Sequence, residues 1–130
     1  MRTRWRVEID VGDRIVTVFR AGCVVHRFSA VVGAPSTPTP VGRFAIAEII
    51  RQAEPAGFLG PWALHLTAHS DVLDDYGGGP GTVAIHGRAG GSRRDPLGSA
   101  RSRGCIRIDN RPIRYLARHL VLGTPVTVRH

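Results

Sequence analysis

The chain has 130 residues, enough for one domain with its own core, and its 42% hydrophobic and 22% charged content excludes a disordered segment. No apolar run approaches the roughly 20 residues of a membrane-spanning helix, and the basic start Met1-Arg2-Thr3-Arg4-Trp5-Arg6 leads into no apolar signal-peptide core. The net charge of +8 rests on 18 arginines and no lysine, so the surface favours carboxylates, phosphates and other anions.

In chain order, Arg4 to Val11 alternates as a strand does. Gly12-Asp13 turns it, and Arg14 to Phe19 returns. Ala21-Gly22 turns again before a third strand over Val24 to Val32, which predicts an antiparallel meander. The prolines of Gly33-Ala34-Pro35-Ser36-Thr37-Pro38-Thr39-Pro40 exclude a central strand and make a loop. Val41 to Ile50 and Pro61 to His69 are the next strands, separated by a polar loop from Arg51 to Gly60. Asp71 to Gly81 is a glycine-rich segment with the character of a lid, and Tyr76 within it is a candidate substrate contact. Thr82 to His86 is a short buried strand. Arg88 to Arg103, rich in glycine and arginine, reads as a long exposed loop, and such loops inside a compact domain are usually functional. A short strand or turn at Cys105 to Ile108 leads to the single convincing helix. Asp109 or Asn110 can cap it, Pro112 fits its first turn, Ile113, Leu116, Ala117 and Leu120 share a face, and Gly123 ends it. Pro125 to Val128 is a closing strand. The chain therefore reads as one mostly β domain, a sandwich or barrel-like sheet with one short helix after Cys105.

Half of the arginines, nine, fall between Arg88 and Arg118. Such a block suits nucleic acid or a solvated basic face. Aromatic content is only 6%, and no aromatic residue alternates with the basic loop, which argues against base stacking. Cys23 and Cys105 could form one disulfide, but Cys105 sits in a motif that needs a free thiol, and Cys23 in Cys23-Val24-Val25 reads as a small buried hydrophobe.

A cysteine nucleophile needs a base and donors for the developing oxyanion. Gly104 before Cys105 permits a tight backbone, amides at Gly104 and Cys105 can face an oxyanion, and Arg103 and Arg107 flank the thiol with positive charge. His86 is the best base: it ends an apolar strand, and Gly87 leaves its face open. His65 and His69 are rivals, and their four-residue spacing also suits a metal pair, although the segment looks extended and lacks a zincin glutamate. His26, His119 and His130 look peripheral.

Together, Ile85-His86-Gly87 and Ser102-Arg103-Gly104-Cys105-Ile106-Arg107, with fifteen residues between His86 and Ser102, resemble the signature of the L,D-transpeptidase catalytic domain of the YkuD type. The loop Pro35 to Phe44, the segments Gly60-Pro61-Trp62-Ala63-Leu64 and Ala68-His69-Ser70-Asp71, and Gly123 to Val128 are similar to that family as well. The resemblance implies Cys105 as nucleophile and His86 as general base. It makes Ser102, Arg103, Gly104 and Gly87 shape the site and its oxyanion region, and it places Arg107 and His69 toward substrate, with Tyr76 of the glycine-rich segment as a further candidate contact. It implies peptidoglycan stem peptides as substrate, a thioester intermediate, no metal or organic cofactor, carbapenem sensitivity, and action on the wall side of the membrane. The Arg88–Arg103 loop would suit stem carboxylates or anionic wall polymers. Arg103 departs from the family's usual histidine and cannot act as a base at neutral pH. A carboxypeptidase, or a wall-binding module without turnover, are the alternatives.

Overall fold

The computed structural model describes residues 4–69, 82–89, 94–102 and 104–130. The chain forms β1 (Trp5–Asp10), β2 (Ile15–Arg20), β3 (Cys23–Ser29), β4 (Val32–Gly33), β5 (Gly42–Arg51), β6 (Trp62–His69), β7 (Thr82–His86), β8 (Ala100–Ser102), β9 (Ile106–Arg107), α1 (Asn110–His119) and β10 (Pro125–Arg129). The expected meander is present as β1–β3. Trp5, Val7 and Ile9 face inward while Arg6, Glu8 and Asp10 face out, so the period of two buries one face. Ala21 and Gly22, both at positive φ, join β2 to β3 in a two-residue turn whose twist matches the strands.

Eight strands make one mixed sheet in the order β3-β2-β1-β10-β5-β6-β7-β9, curled into a half-barrel; β4 and β8 form a separate parallel pair. The closing strand β10 does more than the sequence indicates. It runs parallel to β1 (Val7 opposite Val126) and antiparallel to β5 (Val126 opposite Phe44), and so joins the meander to the half that carries the site.

The core lies along one face of this sheet. Leu64, Leu66, Val83, Ile85, Ile106 and Ile108 reach it from β6, β7 and the β9 segment, and Ile113, Leu116 and Leu120 cover it from α1. Full burial of Ile113 and Leu116 contributes about 1.5–3 kcal/mol each. The helix ends at His119 with Leu120 as C-cap, three residues before the expected stop at Gly123, whose positive φ instead serves the turn into β10. Asp109 holds the N-cap position without a side-chain capping bond, because its carboxylate is engaged by Arg88.

Several other expectations change. Cys23 is exposed rather than buried, because β3 is an edge strand on which all residues but the partly buried Phe28 face solvent, and both cysteines are free thiols. Between Arg88 and Arg103, the described residues are not uniformly exposed: Arg88, Ala89 and Ser102 are buried, and Ala100–Ser102 forms β8. His26 and His119 are exposed but not isolated, since Tyr115 packs between them with ring centroids at 4.4 and 4.2 Å. Among the described residues no helix is long and apolar enough to cross a membrane.

Candidate active site

Register builds the site. Antiparallel β6 sets Ala63 opposite His86 and His65 opposite Ala84; parallel β9 sets Ile106 opposite Ile85 and Arg107 opposite His86. Leu64, Ile85 and Ile106 are then consumed by the core. Strand alternation turns His65, Ala84, His86 and Arg107 to the opposite face, and Cys105, two residues before Arg107, meets the Ala84 backbone.

His86 is 1% exposed, and its Nδ1 lies 2.6 Å from the Gly87 carbonyl oxygen. A carbonyl only accepts, so Nδ1 carries the proton and Nε2 keeps its lone pair. Burial lowers the His86 pKa from its ordinary 6.5 to about 4; the Gly87 bond raises it in part, and the Arg107 and His65 charges lower it further. The imidazole is therefore neutral at neutral pH. Burial pushes the Cys105 thiol up, while the Ala84 backbone and Arg107 pull it down. The Arg107 charge thus acts on a buried thiol and on a neutral imidazole alike.

Gly87 does not leave the histidine's face open, as its position suggests. Its role is close approach: an added Cβ would collide with Asn110 Oδ1 and come within 2.9 Å of Pro61 Cδ. The helix start thus presses on the chain just after His86, and Asn110 Oδ1 accepts the Arg88 N–H at 2.8 Å.

The turn before Cys105 is fixed from within and without. Ser102 Oγ donates to the Cys105 carbonyl at 2.6 Å and accepts the Gly104 N–H at 3.0 Å. Gly104 sits at φ 124, a region that favours glycine. The Gly104 amide is thus taken by Ser102, and of the two amides expected to face an oxyanion the Cys105 N–H is the one Ser102 does not engage. The threonine-proline loop braces this turn. Thr39 Oγ1 accepts the Gly33 N–H at 2.9 Å and donates to the Gly104 carbonyl at 2.8 Å. Thr37 Oγ1 and the Ala34 N–H both donate to the Ser102 carbonyl at 2.9 Å.

Arg107 is 5% exposed and paired with Asp95 (Nη1 to Oδ2, 2.8 Å), so its guanidinium is committed within the protein. Phe58, half exposed, covers it at 4.8 Å from the guanidinium carbon to the ring centroid and stands 6.0 Å, centroid to centroid, from the His86 ring. Phe58, Asp95 and Thr39 as a bracing hydroxyl were absent from the residues singled out in the sequence. Phe58 and Asp95 lie in aperiodic segments that carry no motif, and Thr39 stood within a recognisable loop whose hydrogen bonds have no sequence signal. Of the residues that were singled out, His86, Gly87, Ser102, Gly104, Cys105 and Arg107 come together here. Arg103, Tyr76 and the side chain of His69 lie outside the described residues, as does the glycine-rich segment before Thr82. No three His, Cys, Asp or Glu side chains converge to hold a metal ion among the described residues.

A mostly β, curled half-barrel with one helix after the cysteine is the L,D-transpeptidase fold. L,D-transpeptidase 3 from Mycobacterium tuberculosis, in complex with a faropenem-derived adduct, matches with a TM-score of 0.75 at 18% identity over 98% of this chain and 61% of that one. The family model of the L,D-transpeptidase catalytic domain matches residues 4–128, and the chain belongs to that family. It is 32% identical over 124 residues to a protein named as an L,D-transpeptidase YkuD in Bacillus licheniformis, and 31% identical to its namesake in Bacillus subtilis. Each match covers 95% of this chain, which spans 65% of the length of those two relatives.

Proposed function

We propose that the chain is a cysteine L,D-transpeptidase acting on peptidoglycan stem peptides outside the cytoplasm. The observation that carries this reading is the β6-β7-β9 register, which sets a buried imidazole with a fixed tautomer opposite Arg107, whose charge also reaches the Cys105 thiol. His86 Nε2 takes the Cys105 proton as sulfur attacks the carbonyl preceding the terminal D-alanine of a tetrapeptide stem. The carbonyl oxygen becomes anionic near the Cys105 N–H. The C–N bond breaks, His86 returns the proton to the leaving D-alanine amine, and a thioester remains. An amine of a second stem attacks the thioester, passes its proton to His86, and releases the free thiol with a new amide cross-link. Water in place of the amine gives a carboxypeptidase.

The relative's faropenem-derived adduct supports β-lactams as probes of this chemistry. Wild type incubated with a carbapenem gains one adduct mass, and Cys105→Ala gains none, read by intact-protein mass spectrometry. An adduct on Cys105→Ala rejects the nucleophile assignment. Retention on purified wall with neither adduct nor turnover identifies a binding module instead.

A further inference from the structure

Among the described residues, Arg107 is the cation whose field reaches both Cys105 and His86, and its place is set from outside the sheet. The guanidinium lies against the Phe58 ring, and Nη1 donates to Asp95 Oδ2 at 2.8 Å. Asp95 is itself anchored. Its backbone carbonyl accepts Arg88 Nη2 at 3.3 Å, and Arg88 Nη1 pairs with Asp109 at the start of α1 at 2.9 Å. A relay from the helix start through Arg88 thus delivers one carboxylate to the guanidinium beside the thiol. Among the described residues, the other titratable and charged groups tied to this arrangement are His65 on β6, opposite Ala84, and Arg88 and Asp109 of the relay.

We propose that Asp95 is a positioning residue of this site: it holds Arg107 against Phe58 and offsets the guanidinium's charge beside Cys105 and His86, and so sets the pH range in which the thiol reacts. The inference rests on the assignment of Cys105 and His86 as nucleophile and base. A bare guanidinium favours the thiolate over the thiol, and a carboxylate 2.8 Å from it cancels part of that field. The Asp95 side chain is 25% exposed, so solvent and salt weaken the effect without abolishing it.

Asp95→Asn keeps an acceptor oxygen for Arg107 and deletes the charge; Asp95→Glu keeps the charge. The readout is the pH dependence of iodoacetamide alkylation at Cys105 in a Cys23→Ser background, which reports thiol ionisation whether or not the protein is a transpeptidase. The midpoint for Asp95→Asn should fall by about 0.5–1 pH unit, which makes alkylation roughly three- to tenfold faster below the wild-type midpoint. Asp95→Glu should stay near wild type, and high salt should shrink the difference. A residue that serves only the fold would lower the thermal midpoint and leave the alkylation midpoint in place. An unmoved or raised alkylation midpoint in Asp95→Asn overturns the inference, and Asp95→Ser supplies the same comparison if the asparagine variant does not fold. A carbapenem adduct that survives Cys105→Ala overturns the parent assignment separately.

Discussion

Thr39→Val deletes one hydroxyl and keeps the volume of the side chain. Thr39 is 2% exposed, and its oxygen bridges the Gly33 N–H at 2.9 Å and the Gly104 carbonyl at 2.8 Å. A buried polar group left without a partner costs about 1–3 kcal/mol, and valine strands two. Gly33 cannot swing away to find water: it is packed so closely that a Cβ there would collide with the Thr37 carbonyl oxygen and the Thr39 nitrogen. With some relaxation on the Gly104 side, the loss should be about 2–4 kcal/mol, a large share of the roughly 5–15 kcal/mol that holds a domain folded. For a chain of this size that lowers the calorimetric midpoint by roughly 10 °C. The freed Gly104 carbonyl also loosens the turn that aims Cys105, so carbapenem acylation should slow by about tenfold or more. Thr37→Val is the control. Its hydroxyl reaches the Ser102 carbonyl from a part-buried position, the Ala34 N–H already serves that carbonyl, and water can replace it, so about 1 kcal/mol is expected. A Thr39→Val protein that melts and acylates like Thr37→Val would refute the view that the loop braces the turn through this hydroxyl.

Two further outcomes follow from the buried pair. His86 has a folded pKa of about 4 against an ordinary 6.5, so the unfolded chain binds the proton first as pH falls. This residue therefore costs no stability above pH 6.5 and progressively destabilises the fold down to about 4, by roughly 3 kcal/mol in full; urea unfolding across that window should show the loss, and His86→Asn should flatten it. Cys23 is exposed on an edge strand while Cys105 is buried with its thiol pushed up, so at neutral pH iodoacetamide should alkylate Cys23 well before Cys105; peptide mapping that finds Cys105 labelled first would contradict the burial described.

What the sequence disclosed follows from the range of the interactions involved. Alternation within a strand is local, so β1, β2, β5 and β6 were readable to within a residue or two of their bounds. The parallel pairing of β1 with β10 joins opposite ends of the chain and leaves no local trace. Cys23 misled because an apolar run signals a buried strand only when the strand has neighbours on its faces, and β3 lies at the sheet edge with a register shift opposite Val18 and Phe19. Arg88 read as solvated because its partner Asp109 is twenty-one residues away in sequence. The spacing of His86 and Cys105 was visible at once. The groups packed around these two residues were not: the Gly87 carbonyl, Thr39, Phe58 and Asp95 make their contacts through backbone groups or from loops without periodicity.

The state of the pair decides how the thiol is activated. A preformed thiolate–imidazolium pair needs a histidine that holds its proton at neutral pH, and burial with Arg107 nearby works against that at His86. Burial works against the free thiolate as well, and the Ala84 backbone and Arg107 only partly offset it. The arrangement therefore suits proton transfer to Nε2 in step with attack on the carbonyl, when the new bond already draws charge off sulfur. Arg107 then has one sign of influence on both partners, favouring thiolate over thiol and imidazole over imidazolium. On the proposed assignment, the first speeds ionisation of the nucleophile and the second weakens the base that accepts its proton. The Asp95 carboxylate on Arg107, on the proposed assignment, moderates both together, so that nucleophile and base are balanced at once instead of each being tuned alone.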